Sequence, residues 1–554
     1  MKLVFNIFCA AVSICLILNP AQSQQLGEIF YLGETAFDFQ HYGSNDKTIA
    51  VDEDNGVHFC WTGGITRSEV MYNYRSPEGV FNWTGGLAFS VLMQTQFATI
   101  GLVNDRLAVI SYEGILLSGN AITTVSVDQI SGGGYFLEFF IEHPDTQLMH
   151  PRLVIDSREW IHILAYTPRI TDKRALYYNR SENNGLTWMN EWVFIDSVRV
   201  LSGGFTASDN GKVALAWGHP INPDYISPLE TLNNDIYFVE STDGETWDFA
   251  NPVNITDFDN GFHPNSDSLR AYKDLSLQYD HINYLHFAYT CAGFWQGGGH
   301  SNTCAGSKIY HYCALNGFKR LTGELATGNF PANERRMYDR PSLGFDPQSN
   351  DLYCIWNQFN EPGDTSGYGF PNGEIWGAYS PNLGGSWSGP ANLSNTPSPG
   401  AEPGECQSED YPSLAAIVND TLHIAYLFDR DPGGYGIYTS DMTYQKISAA
   451  EFESVSGVNP IPGNTLPKIS GLICNFPNPF NSSTSIRIEI SIPSTVELAI
   501  YDIEGRLMEV LYFGGLSAGI HQFTFQADHL SSGIYIARLS GEDFSLSSKM
   551  LLLK

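Results

Sequence analysis

Val57-His58-Phe59-Cys60-Trp61 is the first of seven copies of one five-residue plan: apolar residues, mostly a small one, then an aromatic. The others are Ala108-Val109-Ile110-Ser111-Tyr112, His162-Ile163-Leu164-Ala165-Tyr166, Val213-Ala214-Leu215-Ala216-Trp217, Leu285-His286-Phe287-Ala288-Tyr289, Leu352-Tyr353-Cys354-Ile355-Trp356 and Leu422-His423-Ile424-Ala425-Tyr426. Their closing aromatics fall 51 to 72 residues apart. Ahead of most copies a short apolar run is joined to the copy by a polar turn, as in Thr48 to Val51 followed by Asp52-Glu53-Asp54-Asn55-Gly56. Such a pair reads as a hairpin, because turn-formers at that place let the chain reverse.

A third strand follows most copies, among them Met71-Tyr72-Asn73-Tyr74, Leu176-Tyr177-Tyr178 and Ile309-Tyr310-His311-Tyr312. Sheets of three or four strands repeated at this period predict a propeller or a solenoid. The near-continuous apolar second strands favour the propeller, whose inner strands are covered on both faces by neighbouring blades. Seven blades are expected over residues 24–448. The second unit is weakest in its outer strands, so six blades plus one irregular sheet is the alternative. His58, His286 and His423 recur at one strand position, which reads as packing within the repeat and not as metal ligation; no metal site or cofactor is implied. The acidic Asp257-Phe258-Asp259-Asn260-Gly261 invites a structural calcium, but its spacing misses the EF-hand pattern and a solvated turn is expected.

Turns after some third strands carry a signature. Ser181-Glu182-Asn183-Asn184-Gly185-Leu186-Thr187-Trp188 and Ser380-Pro381-Asn382-Leu383-Gly384-Gly385-Ser386-Trp387 resemble the Asp-box, or BNR repeat, of sialidase-like propellers, with Asn183 and Asn382 in place of the usual aspartate. Ser241-Thr242-Asp243-Gly244-Glu245-Thr246-Trp247 is similar but one residue shorter. The box is structural: a short polar side chain satisfies backbone donors, glycine takes a positive φ, and the tryptophan fixes the hairpin to the blade. The resemblance implies a sialidase-like fold and leaves the activity open. Sialidases of this fold carry an early Arg-Ile-Pro; here Arg169-Ile170 and Arg487-Ile488 are not followed by proline, which argues against sialidase activity.

In a propeller the starts of first strands and the ends of second strands meet at one mouth of the central channel. His150-Pro151-Arg152, Tyr338-Asp339-Arg340-Pro341 and Asp410-Tyr411-Pro412 start first strands; Trp217-Gly218-His219, Trp356-Asn357-Gln358 and Phe428-Asp429-Arg430 end second strands. Arg152, His219, Arg340, Asn357, Tyr411 and Arg430 are therefore ligand-binding candidates, with Trp295 from the insertion between Cys291 and Ser307. Rings with polar neighbours suit sugars. Asp339 and Asp410 are the candidate acid and base of a glycosidase, although acids at blade entrances often serve only backbone amides. The repeat aromatics Trp61, Tyr112, Tyr166, Tyr289 and Tyr426 are expected to be packing.

With 29 basic and 60 acidic residues the net charge is −31, which excludes a nucleic-acid partner, since phosphate binding needs cationic surface. Met1-Lys2, the apolar run from Leu3 to Leu18 and Ala21-Gln22-Ser23 read as a signal peptide over residues 1–23. No later segment reaches spanning length. Seven of nine cysteines lie beyond that segment, so at least one has no partner within the chain; Cys291 with Cys304 is one candidate disulfide, and Cys313 and Cys406 are rivals.

Residues 449–473, rich in Ser, Gly and Pro, read as a linker. The tail over 474–554 opens on Asn475-Phe476-Pro477-Asn478-Pro479-Phe480-Asn481 and continues through Tyr501-Asp502-Ile503-Glu504-Gly505-Arg506, Ala518-Gly519-Ile520-His521 and Ser532-Gly533-Ile534-Tyr535 to Lys549-Met550-Leu551-Leu552-Leu553-Lys554. It resembles the C-terminal sorting domain of type IX secretion substrates. That implies a small Ig-like β-sandwich, handling by the type IX machinery, and a destination at the outer-membrane surface or outside a Gram-negative cell. The whole chain is thus expected to be all-β, a propeller followed by a sandwich. Three functions follow: a propeller binding a glycan or extracellular protein, which is favoured; a glycoside hydrolase or lyase of sialidase-like architecture; and a structural or adhesion module.

Overall fold

The computed structural model describes residues 25–41, 43–44, 46–170, 173–221, 234–257, 271–291, 307–323, 336–359, 363–433, 438–456, 473–476, 478, 480–490, 494–516, 519–541 and 545–554. Residues 1–23, read as a signal peptide, together with Trp295, Cys304, nearly all of the acidic 257–261 turn, Pro477 and Pro479, lie outside these residues.

The seven copies are all second strands of antiparallel four-stranded units. The innermost strands are Ile49–Val51, Gln94–Val103, Met149–Ile155, Gly203–Ala207, Ala271–Tyr279, Tyr338–Phe345 and Ser408–Leu414, which define units 1 to 7. They touch one another in that order, as a ring of blades requires. The second unit, the least legible, is a complete sheet whose third strand Ala121–Asp128 is buried throughout. Units 4 and 5 are the irregular place: a single pair, Asn234 with Ala271, merges them into one sheet, and the fourth strand of unit 4 is only Val253–Asn254.

Serines on the inner strands link successive units. Ser276 Oγ accepts from Leu343 N at 3.1 Å, Ser342 Oγ from Leu414 N at 3.0 Å, and Ser413 Oγ from Thr48 N at 3.0 Å. The last of these joins unit 7 to unit 1. A second closure is outermost: Glu28–Thr35 pairs with Ser440–Ser448 as the fourth strand of unit 7, so the chain's start and the propeller's last strand share one sheet. Between Thr35 and Ile49 the chain must travel from the rim to the axis. Ser44 N reaches Leu201 O at 3.2 Å and Ser44 Oγ accepts from Leu275 N at 3.1 Å, while Lys47 Nζ donates to Leu414 O at 2.8 Å and to Leu343 O. Ile100 N also donates to Lys47 O at 2.8 Å and Arg152 pairs with Asp46, so the described residues of this crossing touch units 2 to 7.

Repeated histidines act as ties. Asp52 Oδ1 accepts from Gly56 N in the first hairpin turn, Asp52 Oδ2 meets His58 Nε2 at 3.3 Å, and His58 Nδ1 meets Tyr72 Oη at 2.8 Å. His162 repeats this with Asp156 and Tyr178, and His423 meets Tyr444 at 2.7 Å. In unit 5 the tyrosine is replaced by His311, 2.9 Å from His286, which also meets Asp280.

The stretch read as linker begins with an α-helix, Ala449–Val455, N-capped by Ser448, whose Phe452 is buried in the core shared by units 6 and 7. Beyond residue 473, a three-stranded sheet (Ile473–Phe476, Ser483–Ile490, Gly519–Gln526) and a four-stranded sheet (Leu507–Leu516, Ser494–Asp502, Gly533–Ser540, Ser545–Leu552) enclose one apolar core. The Asn478 side chain ties the opening segment to the last strand, accepting from Leu551 N at 2.8 Å and donating to Lys549 O at 3.0 Å. Gly505 turns at φ 79° below Asp502, which accepts from Glu504 N and Arg506 N; Gly519 and Gly533 begin strands.

Candidate functional site

Antiparallel register puts the starts of first and third strands and the ends of second strands at one face. There four inner strands carry a bulge whose first residue is left-handed although it is not glycine: Phe97 (φ 60°), His150 (φ 52°), Arg340 (φ 53°) and Tyr411 (φ 53°). A side chain bearing a Cβ resists this conformation by about 1–2 kcal/mol, and bulges of this kind re-aim side chains beside functional sites. Bulge residues of neighbouring units touch: Phe97 and His150 rings lie 4.9 Å apart, and the Arg340 guanidinium lies 4.0 Å above the Tyr411 ring.

The two acid candidates converge on one cation. Arg340 Nη1 is 2.7 Å from Asp410 Oδ1 and 3.3 Å from Asp339 Oδ2, and neither carboxylate has exposed surface. Asp339 also accepts from Arg336 N at 2.9 Å. Burial, with the charges of Asp274 and Asp410 adding and that of Arg340 opposing, pushes Asp339 up to about 7. Arg152 is equally engaged, pairing with Asp46 at 2.8 Å and donating to Gly203 O at 2.7 Å and Leu201 O at 2.9 Å. His41 of the crossing segment is buried and pushed down to about 3 by burial and by Arg152 and Arg340; His150 is pushed down to about 3 by burial and then by the charges of Arg174 and Arg152. Asn357 donates to Glu409 O at 2.8 Å from full burial.

Two candidates remain open to solvent. The His219 side chain is 25 % exposed. Its ring stacks on Tyr237 at 4.3 Å and 12°, and its Nδ1 meets Asp196 Oδ2 at 2.6 Å; the same oxygen accepts from Trp217 Nε1 at 2.6 Å. The carboxylate fixes the ring through Nδ1 and leaves Nε2 with no partner among the described residues. Arg430, 42 % exposed, pairs with Asp441. The repeat aromatics Trp61, Tyr112, Tyr166, Tyr289 and Tyr426 are fully buried.

Sequence reasoning missed a buried carboxyl pair, Glu374 and Glu409. Ser394 Oγ donates to Glu374 at 2.6 Å and Thr396 Oγ1 to Glu409 at 2.6 Å. Burial and mutual repulsion hold Glu409 well above the usual range, and burial pushes Glu374 up to about 7. Among the described residues no group of three or more His, Cys, Asp or Glu is spaced to hold a metal ion. Cys60, Cys313, Cys354 and Cys406 are free thiols.

The Asp-box-like turns lie at the opposite face. Ser181 Oγ accepts from Gly185 N at 2.9 Å and Asn183 Oδ1 from Thr187 N at 2.8 Å; Ser380 Oγ accepts from Gly384 N at 2.8 Å and Asn382 Oδ1 from Ser386 N at 2.7 Å. Asp243 accepts from Thr246 N and Glu245 N, which holds its carboxyl far below the usual range. Gly185, Gly244 and Gly384 all have positive φ, and Trp188, Trp247 and Trp387 pack into the unit cores.

Residues 475–553 match the family described as the secretion system C-terminal sorting domain. The chain carries a type IX sorting tail. It is a secreted protein, and no described helix is long and apolar enough to cross a membrane. No curated protein matches it. Among solved structures, it is similar to a PL25 ulvan lyase bound to -[GlcA(1-4)Rha3S]- (10 % identity over 78 % of this chain and 99 % of that one, TM-score 0.46). It is also similar to the Hadza microbial sialidase Hz136 (11 %, 77 % and 91 %, 0.37) and to Trypanosoma rangeli sialidase in complex with sialic acid (10 %, 90 % and 89 %, 0.36). Nothing about chemistry follows from likeness at this level.

Proposed function

We propose that this secreted protein is a ligand-binding propeller, taking a glycan or an extracellular protein at the face where the inner-strand bulges meet. The observation that carries this reading is the shelf of Asp196, His219 and Tyr237: a partly exposed ring stack whose Nε2 has no partner among the described residues. Such a surface offers a sugar both a platform for its C–H edges and a hydrogen-bond partner for a hydroxyl. The candidate acids Asp339 and Asp410 are both paired with Arg340, which supports binding without turnover by that pair. A glycoside hydrolase or lyase is the second reading, favoured by one feature: an imidazole oriented by a carboxylate is the arrangement of a general base.

A glycan-array screen of the chain from residue 24 onward, with product analysis on every hit, separates the two. Binding with intact glycan supports the first reading, and binding with chain cleavage supports the second. No hit on any glycan removes the sugar from both and leaves the protein ligand.

A further inference from the structure

The sorting match assigns residues 475–553 to the secretion machinery, and the sandwich itself indicates where that machinery takes hold. The two edges of its four-stranded sheet differ. Ser545–Leu552 is covered by the opening segment, since Phe480 N donates to Leu551 O at 2.9 Å and Leu553 N to Phe480 O at 2.8 Å. Among the described residues, Leu507–Leu516 pairs only with Ser494–Asp502 and has no strand on its other side.

This open edge is ten residues long, contains no lysine or proline, and has Glu509 as its single charge. Its exposed side chains are apolar, with Leu507 at 55 %, Val510 at 43 % and Phe513 at 72 %. Register breaks near Met508 and Leu511 interrupt it, Tyr512 Oη donates to Gly515 O at 2.9 Å, and from Tyr512 to Leu516 the pairing runs unbroken. Proteins normally blunt such an edge with lysine, proline or a covering segment, because its unpaired N–H and C=O groups invite another strand. Here one edge is covered and the other is left open in a module that must be gripped.

We propose that Leu507–Leu516 is the recognition edge of the sorting domain, and that a component of the secretion machinery adds an extended strand to it. Strand addition takes affinity from main-chain hydrogen bonds and specificity from alternate side chains. The incoming strand presents apolar side chains beside Val510 and Phe513 and a basic one opposite Glu509. This inference rests on the sorting reading and names the surface that reading uses.

The test expresses the full chain in a type IX-competent host and measures the exported fraction. Val510→Lys/Phe513→Lys is expected to lower it about tenfold, as is Glu509→Lys, with each retained chain as protease-resistant as the wild type. His529→Lys, at an exposed turn outside the strand and outside the quoted sorting motifs, is expected to export normally. Wild-type export of both edge variants overturns the proposal. So does a His529→Lys chain that fails as they do, or dimerisation of the wild-type chain that the edge substitutions abolish. Equal export from a host lacking the type IX channel would instead remove the sorting reading itself.

Discussion

Gly384 lies against His311: a Cβ placed on the glycine would meet the ring's Cε1 at 2.2 Å. The glycine belongs to the box-like turn of unit 6 and the histidine to the third strand of unit 5. Gly244 of unit 4 likewise lies against unit 3, where a Cβ would meet Asp156 Oδ2 at 2.8 Å and His162 Cε1 at 3.2 Å, and Trp387 and Trp247 flank His311 and His162. The box therefore satisfies its own turn and also seats each blade on the one before it.

Gly384→Ala is expected to destabilise the propeller by about 2–4 kcal/mol, combining the left-handed φ of 81° with the clash. Gly119→Ala shares a positive φ but has open space around it, so it should cost only about 1 kcal/mol. Denaturant melts of the two variants check this; equal losses would mean that the blade contact contributes nothing.

Ring closure depends on Ser413. Replacing it with alanine removes the acceptor of Thr48 N in a buried place, at a cost of about 1–2 kcal/mol. Hydrogen exchange should quicken first at the unit 1 and unit 7 inner strands. Uniform quickening across all units would show that the junction is not where the ring opens.

Arg340→Met leaves Asp339 and Asp410 buried without their cation, an expected loss of about 3–5 kcal/mol. Arg340→Lys should recover only part of it, because an ammonium can meet the carboxylates but lacks the planar guanidinium that stacks on Tyr411. Thermal melting of the two variants distinguishes this from a ligand-binding role, in which stability would be unchanged.

Glu374 holds its proton more tightly when folded, its value rising from 4.5 to about 7. Its contribution is present below pH 4.5 and is lost as pH rises through 7. Glu374→Gln has no such dependence, so its melting temperature relative to wild type should rise between pH 4.5 and 7.5. A constant difference would show that Glu374 titrates normally.

The blades were legible because each second strand is buried on both faces and must be apolar along its length, as Val57–Gly63 is. The box turns were legible because a serine, a short polar residue, a glycine and a tryptophan at fixed offsets do one local job. What the sequence hid is long-range. Nothing local marks Glu28–Thr35 as the last strand of unit 7, or Lys47 as a side chain that donates to Leu414 O and Leu343 O of units 7 and 6. Asp339 and Asp410, 71 positions apart, looked like a reactive pair, and only the bulges that bring Arg340 between them reveal the ion cluster. Glu374 and Glu409 lie at the starts of two strands 35 positions apart, and their proximity comes from the packing of unit 6 on unit 7.

The measurement that tests the account most directly is calorimetric binding of the strongest array ligand to wild type and to His219→Ala/Tyr237→Ala. The account predicts affinity at least about tenfold weaker with an unchanged melting temperature. Unaltered affinity in the double variant would contradict it and move the ligand away from this shelf.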